Sequence, residues 1–287
     1  MKTKVGVVGI GMVGTPIARY FEEIKNLKRG DDLFLYDADP KKNFNDDVNK
    51  ADIIFISVPT PPGENGAADL SALESVFNII TGKNKILVIK STVTPGTTEK
   101  FQKRYPGHKI LFNPEFLTAR RAWEDFLKPD RQIVGFTEKS LDGAHMVLSL
   151  LPKAPFMSPW GAGTYNQIQI SATEAEMIKY ASNVFYARKV NFANIFAGLA
   201  EKLGAGYENI KLAMGADFRL GESHLDIGHG GYRGFGGHCL PKDIRSLTAC
   251  LEANGLSDEA KLLREDFNFN ESLLERQGLS FDAVKKK

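Results

Sequence analysis

The sequence predicts an α/β fold: a doubly wound, mostly parallel sheet, followed by a long connecting helix and a small all-α domain. Three observations carry this. Short β-branched runs alternate with amphipathic stretches through the first half. A glycine-rich turn closes the first of those runs. An unbroken helical pattern of about 30 residues then begins near residue 171.

The strand-like runs are 4–9, 32–36, 52–58, 86–89, 109–112 and 132–135. Most end in a turn or cap signal and lead into a helical pattern, as buried parallel strands do. The first run needs one distinction. Lys2 and Lys4 precede an apolar run, Val5 to Val13, with the outline of a signal peptide. Gly6, Gly9 and Gly11 interrupt it, and no small-residue cleavage site follows before Arg19, so it reads as a first strand. At the long helix, Thr173 with Glu176 and Ser171 with Glu174 compete as capping boxes, and Gly204 offers the C-terminal stop. Shorter helices are expected over 207–214, 243–253 and 258–274, with a glycine-dense loop over 228–237 between the first two. The expected domains are 1–170 and 171–287.

Composition narrows the function. With 37 Lys+Arg against 35 Asp+Glu, the net charge of +2 argues against a nucleic-acid binder driven by bulk charge. A hydrophobic content of 43% with 25% charged residues excludes wholesale disorder. No stretch approaches the ~20 apolar residues of a membrane span. Two cysteines, Cys239 and Cys250, cannot build a disulfide framework, which points to a reduced, cytoplasmic setting.

Gly9-Ile10-Gly11-Met12-Val13-Gly14 stands between the first strand and a helix start. Gly9 permits the tight turn, Gly11 lets the backbone approach a pyrophosphate, and Gly14 lets the helix pack on the strand. The pyrophosphate then meets the free N–H groups of the helix start, so Met12 and Val13 join the expected contacts. Asp37 ends the second strand, 23 residues past Gly14. Its carboxylate would accept from a ribose hydroxyl pair and repel a 2′-phosphate, so the expected cofactor is NAD rather than NADP, on a Rossmann-type sheet. Ser57-Val58-Pro59-Thr60 and Ser91-Thr92 follow the third and fourth strands and suit the wall of such a site. Ordinary turn chemistry would account for any one of them equally well.

Cys239 follows Gly234-Phe235-Gly236-Gly237-His238 and precedes a helix start. A helix N-terminus favours thiolate, which makes Cys239 a candidate nucleophile, whereas Cys250 reads as a small hydrophobe in an amphipathic helix. A zinc reading of His224, His229, His238 and Cys239 fails on ligand spacing, so no metal is expected. Glu176, Lys179 and Asn183 fall at i, i+3 and i+7 of the long helix, on one face. A solvated Glu–Lys pair is the plain account, but the apolar surroundings suit a buried Lys and amide that stabilise an oxyanion.

Taken together, these residues resemble the UDP-glucose/GDP-mannose dehydrogenase family. The similarity rests on Gly9–Gly14, Val58-Pro59-Thr60-Pro61, Lys90-Ser91-Thr92, Phe112-Asn113-Pro114-Glu115-Phe116-Leu117, the Glu176/Lys179/Asn183 helix, Asp217-Phe218-Arg219-Leu220-Gly221, and Gly234 through Asp243. The resemblance implies oxidation of the C6 alcohol of a nucleotide sugar to a carboxylate, with two NAD consumed and Cys239 carrying a thiohemiacetal and then a thioester. It implies that Lys179 and Asn183 stabilise oxyanions and that Asp243 holds or activates water. Glu115 would be a further acid/base and Thr92 would touch the water or the nicotinamide. Phe116, Leu117, Arg219, Phe235, Gly236 and Gly237 would shape the sugar site, and His238 would be structural. A homodimer through the long helix is also implied.

Two departures from the family pattern stand out. Ala119 occupies the place of a second glutamate that many members carry four residues after the one matching Glu115. The sequence as given also stops before the family's third, nucleotide-gripping domain, and it reads as a fragment, a short form or a member with a different substrate handle. Two other readings stay open: an NAD-dependent dehydrogenase of a smaller sugar or 3-hydroxyacid, which needs no cysteine, and a non-catalytic NAD-binding module.

Overall fold

In the computed structural model, which describes residues 3–63, 66–159 and 168–285, the chain divides into two compact units. Unit 1 comprises residues 1–61 and 68–179, and unit 2 comprises 62–67 and 180–287.

Unit 1 is built on strands β1 (Val5–Val8), β2 (Leu33–Tyr36), β3 (Ile53–Ile56), β4 (Ile86–Ile89) and β5 (Lys109–Phe112). Helices α1 (Gly14–Arg19), α2 (Ser71–Ile79) and α3 (Thr97–Arg104) follow β1, β3 and β4, and α4 (Ala122–Leu127) follows β5. The sheet order is β2-β1-β3-β4-β5, all parallel. Alternate residues feed two cores. Val5, Val7, Ile53, Phe55, Val88 and Leu111 pack on one face, and Val8, Ile54, Ile56, Leu87, Ile110 and Phe112 on the other. Both faces are covered, which is why these strands read as continuous apolar runs. The strand order reverses between β1 and β3, and the crevice at their carboxyl ends is where such sheets bind ligands.

The expected strand 132–135 is a correction. It splits into β6 (Arg131–Ile133) and β7 (Gly135–Phe136). β6 pairs in parallel with β8 (Phe156–Ser158), whereas β7 closes the large sheet antiparallel to β5. Val134 donates to the Ser158 carbonyl at 2.9 Å, and one straight strand could not serve both partners. Along the chain, α5 (Leu141–Leu150) lies between β7 and β8.

Helix α6 runs unbroken from Ala172 to Leu203, 32 residues, and its first two turns belong to unit 1. The boundary therefore falls after Lys179, inside the helix, because Ala172 and Ala175 are fully buried against the sheet core. A Cβ on Gly135 would lie 2.6 Å from Ala175 Cβ, so β7 and the start of α6 touch without an intervening side chain. Ser171 and Glu174 form the capping box: Ser171 N–H and Oγ both bond Glu174 Oε2 at 2.7 Å. The rival box is a correction, since Glu176 is fully buried and bonds elsewhere.

Unit 2 continues α6 with α7 (Tyr207–Gly215), α8 (Cys239–Ala253), α9 (Ser257–Glu275) and α10 (Phe281–Val284). Its core is small: Val184, Ala187 and Val190 of α6 with Phe235, Ile244 and Leu263. α8 begins four residues earlier than expected. Pro241 reads as a helix breaker, but in a first turn its missing N–H has no partner to lose. Among the described residues, no helix is long and apolar enough to cross a membrane.

Candidate active site

At the β1–α1 turn the three glycines do different work. Gly9 has φ +87°, and a Cβ there would lie 2.5 Å from the Ser57 carbonyl oxygen. A Cβ on Gly14 would collide with the Gly9 carbonyl oxygen. Gly11 is exposed with open space where its Cβ would stand, so nothing in the fold requires it to be glycine. Room at that one position, beside the start of α1, suits the close approach of a dinucleotide. Met12 is exposed and Val13 half-buried beside it.

Asp37 is more engaged than a bare ribose acceptor. Its Oδ2 accepts from Ile10 N–H at 2.7 Å and from Lys42 Nζ at 2.8 Å, and its Oδ1 accepts from Asp39 N–H at 2.9 Å. Burial pushes the carboxyl up, but the Lys42 hydrogen bond and the two backbone N–H groups outweigh it and hold Asp37 below its ordinary value. Lys42 also donates to the Ile10 carbonyl at 3.0 Å. Sequence reading missed Lys42; the signal available was a lysine five residues past the acid, after an Asp-Pro turn.

The two wall loops are tied to each other. Thr60 Oγ1 donates to the Thr92 carbonyl and Ser91 Oγ to the Val58 carbonyl, each at 2.7 Å. Thr60 and Ser91 are buried; Val58, Pro59 and Thr92 are partly or largely accessible. Behind them Glu176 accepts from Gly96 N–H (2.6 Å), Thr98 N–H (2.8 Å) and Thr98 Oγ1 (2.6 Å), which satisfies the start of α3. Burial pushes the Glu176 carboxyl up to about 7, against those hydrogen bonds.

The carboxyl ends of β4 and β5 hold a buried charge cluster. Lys179 Nζ donates to Glu115 Oε1 and to the Glu115 carbonyl, both at 2.7 Å, with the two side chains 5% and 7% exposed. Burial pushes Glu115 up, but the charge and hydrogen bond of Lys179, the Leu117 N–H and the charge of Lys90 more than offset it, so Glu115 is held below its ordinary value. Lys90 Nζ donates to Asn113 Oδ1 at 2.7 Å. Burial lowers Lys90 to about 7, opposed by Glu115 and reinforced by Lys179. Lys90 and Asn113 were quoted in the motifs without a role, and nothing in the spacing shows that they pair. Phe116 lies under the Arg131 guanidinium, 3.7 Å from its ring centre, and is half-buried like Leu117. Ala119 is exposed in a short 3₁₀ turn, and the nearby Asp125 turns back to accept from Thr118 N–H at 2.8 Å.

Unit 2 carries the rest. Cys239 is the first residue of α8 and half-buried. Asp243, one turn later, is fully buried; it accepts from Asn183 Nδ2 at 2.5 Å and pairs with Lys242. Tyr180 Oη and Ser246 Oγ, 2.8 Å apart, also tie α6 to α8. Two of the expected sugar contacts also serve packing. Phe235 is 3% exposed and packs with Ile244 and Leu263, so its side chain is core. At Gly236 a Cβ would collide with Tyr232 Oη and Val284, so that glycine serves packing. Gly237 has open space around it. Arg219 is 75% exposed and clasps Asp217 with both Nε and Nη2. His238 makes no side-chain capping bond to α8. Among the described residues, no group of three or more His, Cys, Asp or Glu is placed to hold a metal ion.

Comparison with known proteins places this geometry. Residues 39–149 match the NAD binding domain of the UDP-glucose/GDP-mannose dehydrogenase family, and residues 173–272 match that family's central domain. The UDP-glucose 6-dehydrogenase of Rickettsia bellii is 33% identical over 84% of this chain and 53% of its own. YtcA of Bacillus subtilis is 31% identical over 94% of this chain and 68% of its own. Among solved structures, a UDP-glucose dehydrogenase from Pyrobaculum islandicum superposes with a TM-score of 0.78 and 29% identity, covering 97% of this chain and 72% of that one. The 3-hydroxyisobutyrate dehydrogenase of Mycobacterium tuberculosis shares the fold alone, at 17% identity and a TM-score of 0.69. The chain spans about half the length of the first curated relatives it matches.

Proposed function

Since the chain belongs to the UDP-glucose/GDP-mannose dehydrogenase family, we propose that it oxidises the C6 alcohol of a nucleotide sugar such as UDP-glucose to the carboxylate, through intermediates covalently held on Cys239. The observation that supports the reading is that both acids are buried beside an expected oxyanion donor: Glu115 accepts from Lys179, and Asp243 accepts from Asn183. NAD, when bound, accepts a hydride from C6 in each of two oxidations. The open backbone at Gly11, with Asp37 and Lys42 beyond it, fits the dinucleotide.

In the first oxidation C6 gives up a hydride and its hydroxyl a proton, leaving an aldehyde. The Cys239 thiolate then adds to C6, and the new oxyanion takes up a proton to give a thiohemiacetal. Loss of a second hydride and the hydroxyl proton gives a thioester. Water adds to that thioester, the carbon–sulfur bond breaks, and carboxylate and thiol are released. Glu115 takes two of the three donors of Lys179, and we assign the third, together with the second N–H of Asn183, to the oxyanion. Asp243 orients the water, with Thr92 and Glu115 as further contacts. Phe116, Leu117, Arg219 and Gly237 are assigned to the sugar.

Removing the thiol is the test. Cys239→Ala should stop after one hydride transfer and leave aldehyde, detectable by hydrazine trapping. Unchanged NADH yield in that variant would refute the covalent route. We also assign a cytoplasmic location, where the thiol stays reduced, and self-association through α6. Phe185, Phe192, Ile195, Leu199 and Leu203 stand exposed along one helix face at spacings of seven, three, four and four. Sedimentation should give a dimer that Ile195→Glu with Leu199→Glu dissociates; a monomer in the unaltered protein would exclude it.

A further inference from the structure

We propose that two side-chain amides, Asn270 of α9 and Gln277 of the turn that follows it, are positioning residues that fix the glycine loop ahead of Cys239 and so hold the thiol at the start of α8; the proposal rests on the reading of Cys239 as nucleophile. Asn270 Oδ1 accepts from Phe235 N–H at 2.7 Å and its Nδ2 donates to the Phe235 carbonyl at 2.8 Å. Gln277 does the same for Arg233: its Oε1 accepts from the N–H at 2.8 Å and its Nε2 donates to the carbonyl at 2.9 Å. Each amide thus exchanges both hydrogen bonds with one residue, as the neighbouring strand of an antiparallel sheet would. The two amides stand seven residues apart, Asn270 inside α9 and Gln277 in the turn just past its end. The next alternate residue is also held, since Gly237 N–H donates to the Val284 carbonyl at 3.2 Å. Residues 233, 235 and 237 are therefore pinned in turn, and the next in that alternation is Cys239.

The intervening glycine is what lets the amide in. Gly234 has φ +105°, and a Cβ there would lie 2.6 Å from Asn270 Oδ1. A loop with positive φ at Gly230, Gly231, Gly234 and Gly237 loses much conformational freedom on ordering. Its glycines have no side chain to pack, so backbone partners hold it alongside the buried Phe235 side chain. Asn270 is fully buried with both ends of its amide committed, which costs nothing only while the loop is in place. If the loop is released, Cys239 is free to leave the first turn of α8, where helix N–H groups favour the thiolate.

The chain carries its own control thiol: Cys250 lies in the same helix, eleven residues on. The whole chain, without NAD or sugar, is alkylated with iodoacetamide between pH 6 and pH 9, and the two cysteine peptides are quantified separately. Asn270→Asp keeps the side-chain shape but replaces the donor with an oxygen that repels the Phe235 carbonyl. Gln277→Ala removes an exposed side chain and spares the core, so it reports even where Asn270→Asp does not fold. In both variants the alkylation rate of Cys239 at pH 7 should fall at least about fivefold and its pH midpoint should rise by about half a unit or more. Cys250 should react as before, and exchange of the Arg233 and Phe235 amides should quicken. An unchanged Cys239 midpoint in folded Gln277→Ala, or equal changes at both thiols, would overturn the proposal. Because no turnover is read, a failure of Cys239 as nucleophile shows up separately, in the Cys239→Ala experiment.

Discussion

Unit 1 and unit 2 solve the same problem, presenting reactive groups on a rigid frame, by opposite means. Unit 1 has a wide apolar frame, with strands such as Ile53–Ile56 and Ile86–Ile89 buried at every position. It can therefore bury titratable groups at its strand ends: Lys90, Glu115 and Lys179. Unit 2 has a thin core around Val184, Phe235 and Ile244, and its glycine loop is held by polar side chains, Asn270 and Gln277. Buried charge calls for a large frame that compensates its desolvation with paired partners. A flexible loop calls instead for partners that read its backbone.

The contrast is sharpest at the glycines. Gly14→Ala should have the largest effect, because its Cβ would displace the backbone at Gly9. A loss of about 3 kcal/mol by denaturant unfolding is expected, at the upper end for overpacking. Gly11→Ala should change stability by less than about 0.5 kcal/mol, as for a substitution that meets nothing, while weakening NAD binding at least about tenfold by calorimetry. Equal loss of stability in both variants would break the distinction between a packing glycine and a ligand glycine.

Glu176 gives the next effect. Glu176→Ala leaves the Gly96 and Thr98 N–H groups without their acceptor and should cost about 2 kcal/mol or more. The pH dependence has a definite sign. The folded state holds the Glu176 proton up to about 7, against an ordinary 4.5. Between those values the folded state binds more protons than the unfolded one, so this group's contribution to stability falls as pH rises through the window. Glu176→Gln should flatten the melting temperature between pH 5 and pH 7 relative to the parent. An unaltered slope would assign it to another group.

What the sequence made legible follows the same division. The sheet was readable because its strands are buried on both faces, so each is a largely apolar run, whereas the split at Val134 and the short strand β8 that pairs with β6 were hidden. That split depends on two partners far apart in the chain. The candidate acids and Cys239 were readable from their motifs, but the pairings Lys90–Asn113 and Asp37–Lys42 were not, since no periodicity encodes them. The resemblance assigns Phe235 to the sugar, but the burial of its side chain against Ile244 is a tertiary fact that no motif encodes. Asn270 on α9 and Gln277 just past its end look like ordinary polar residues until the loop is laid against them.

The account stands most directly on the yield of NADH from limiting UDP-glucose with excess NAD, followed by absorbance in the near ultraviolet. It predicts two NADH per sugar, with glucuronate as the product sugar. One NADH per sugar, or none while NAD still binds, would contradict it.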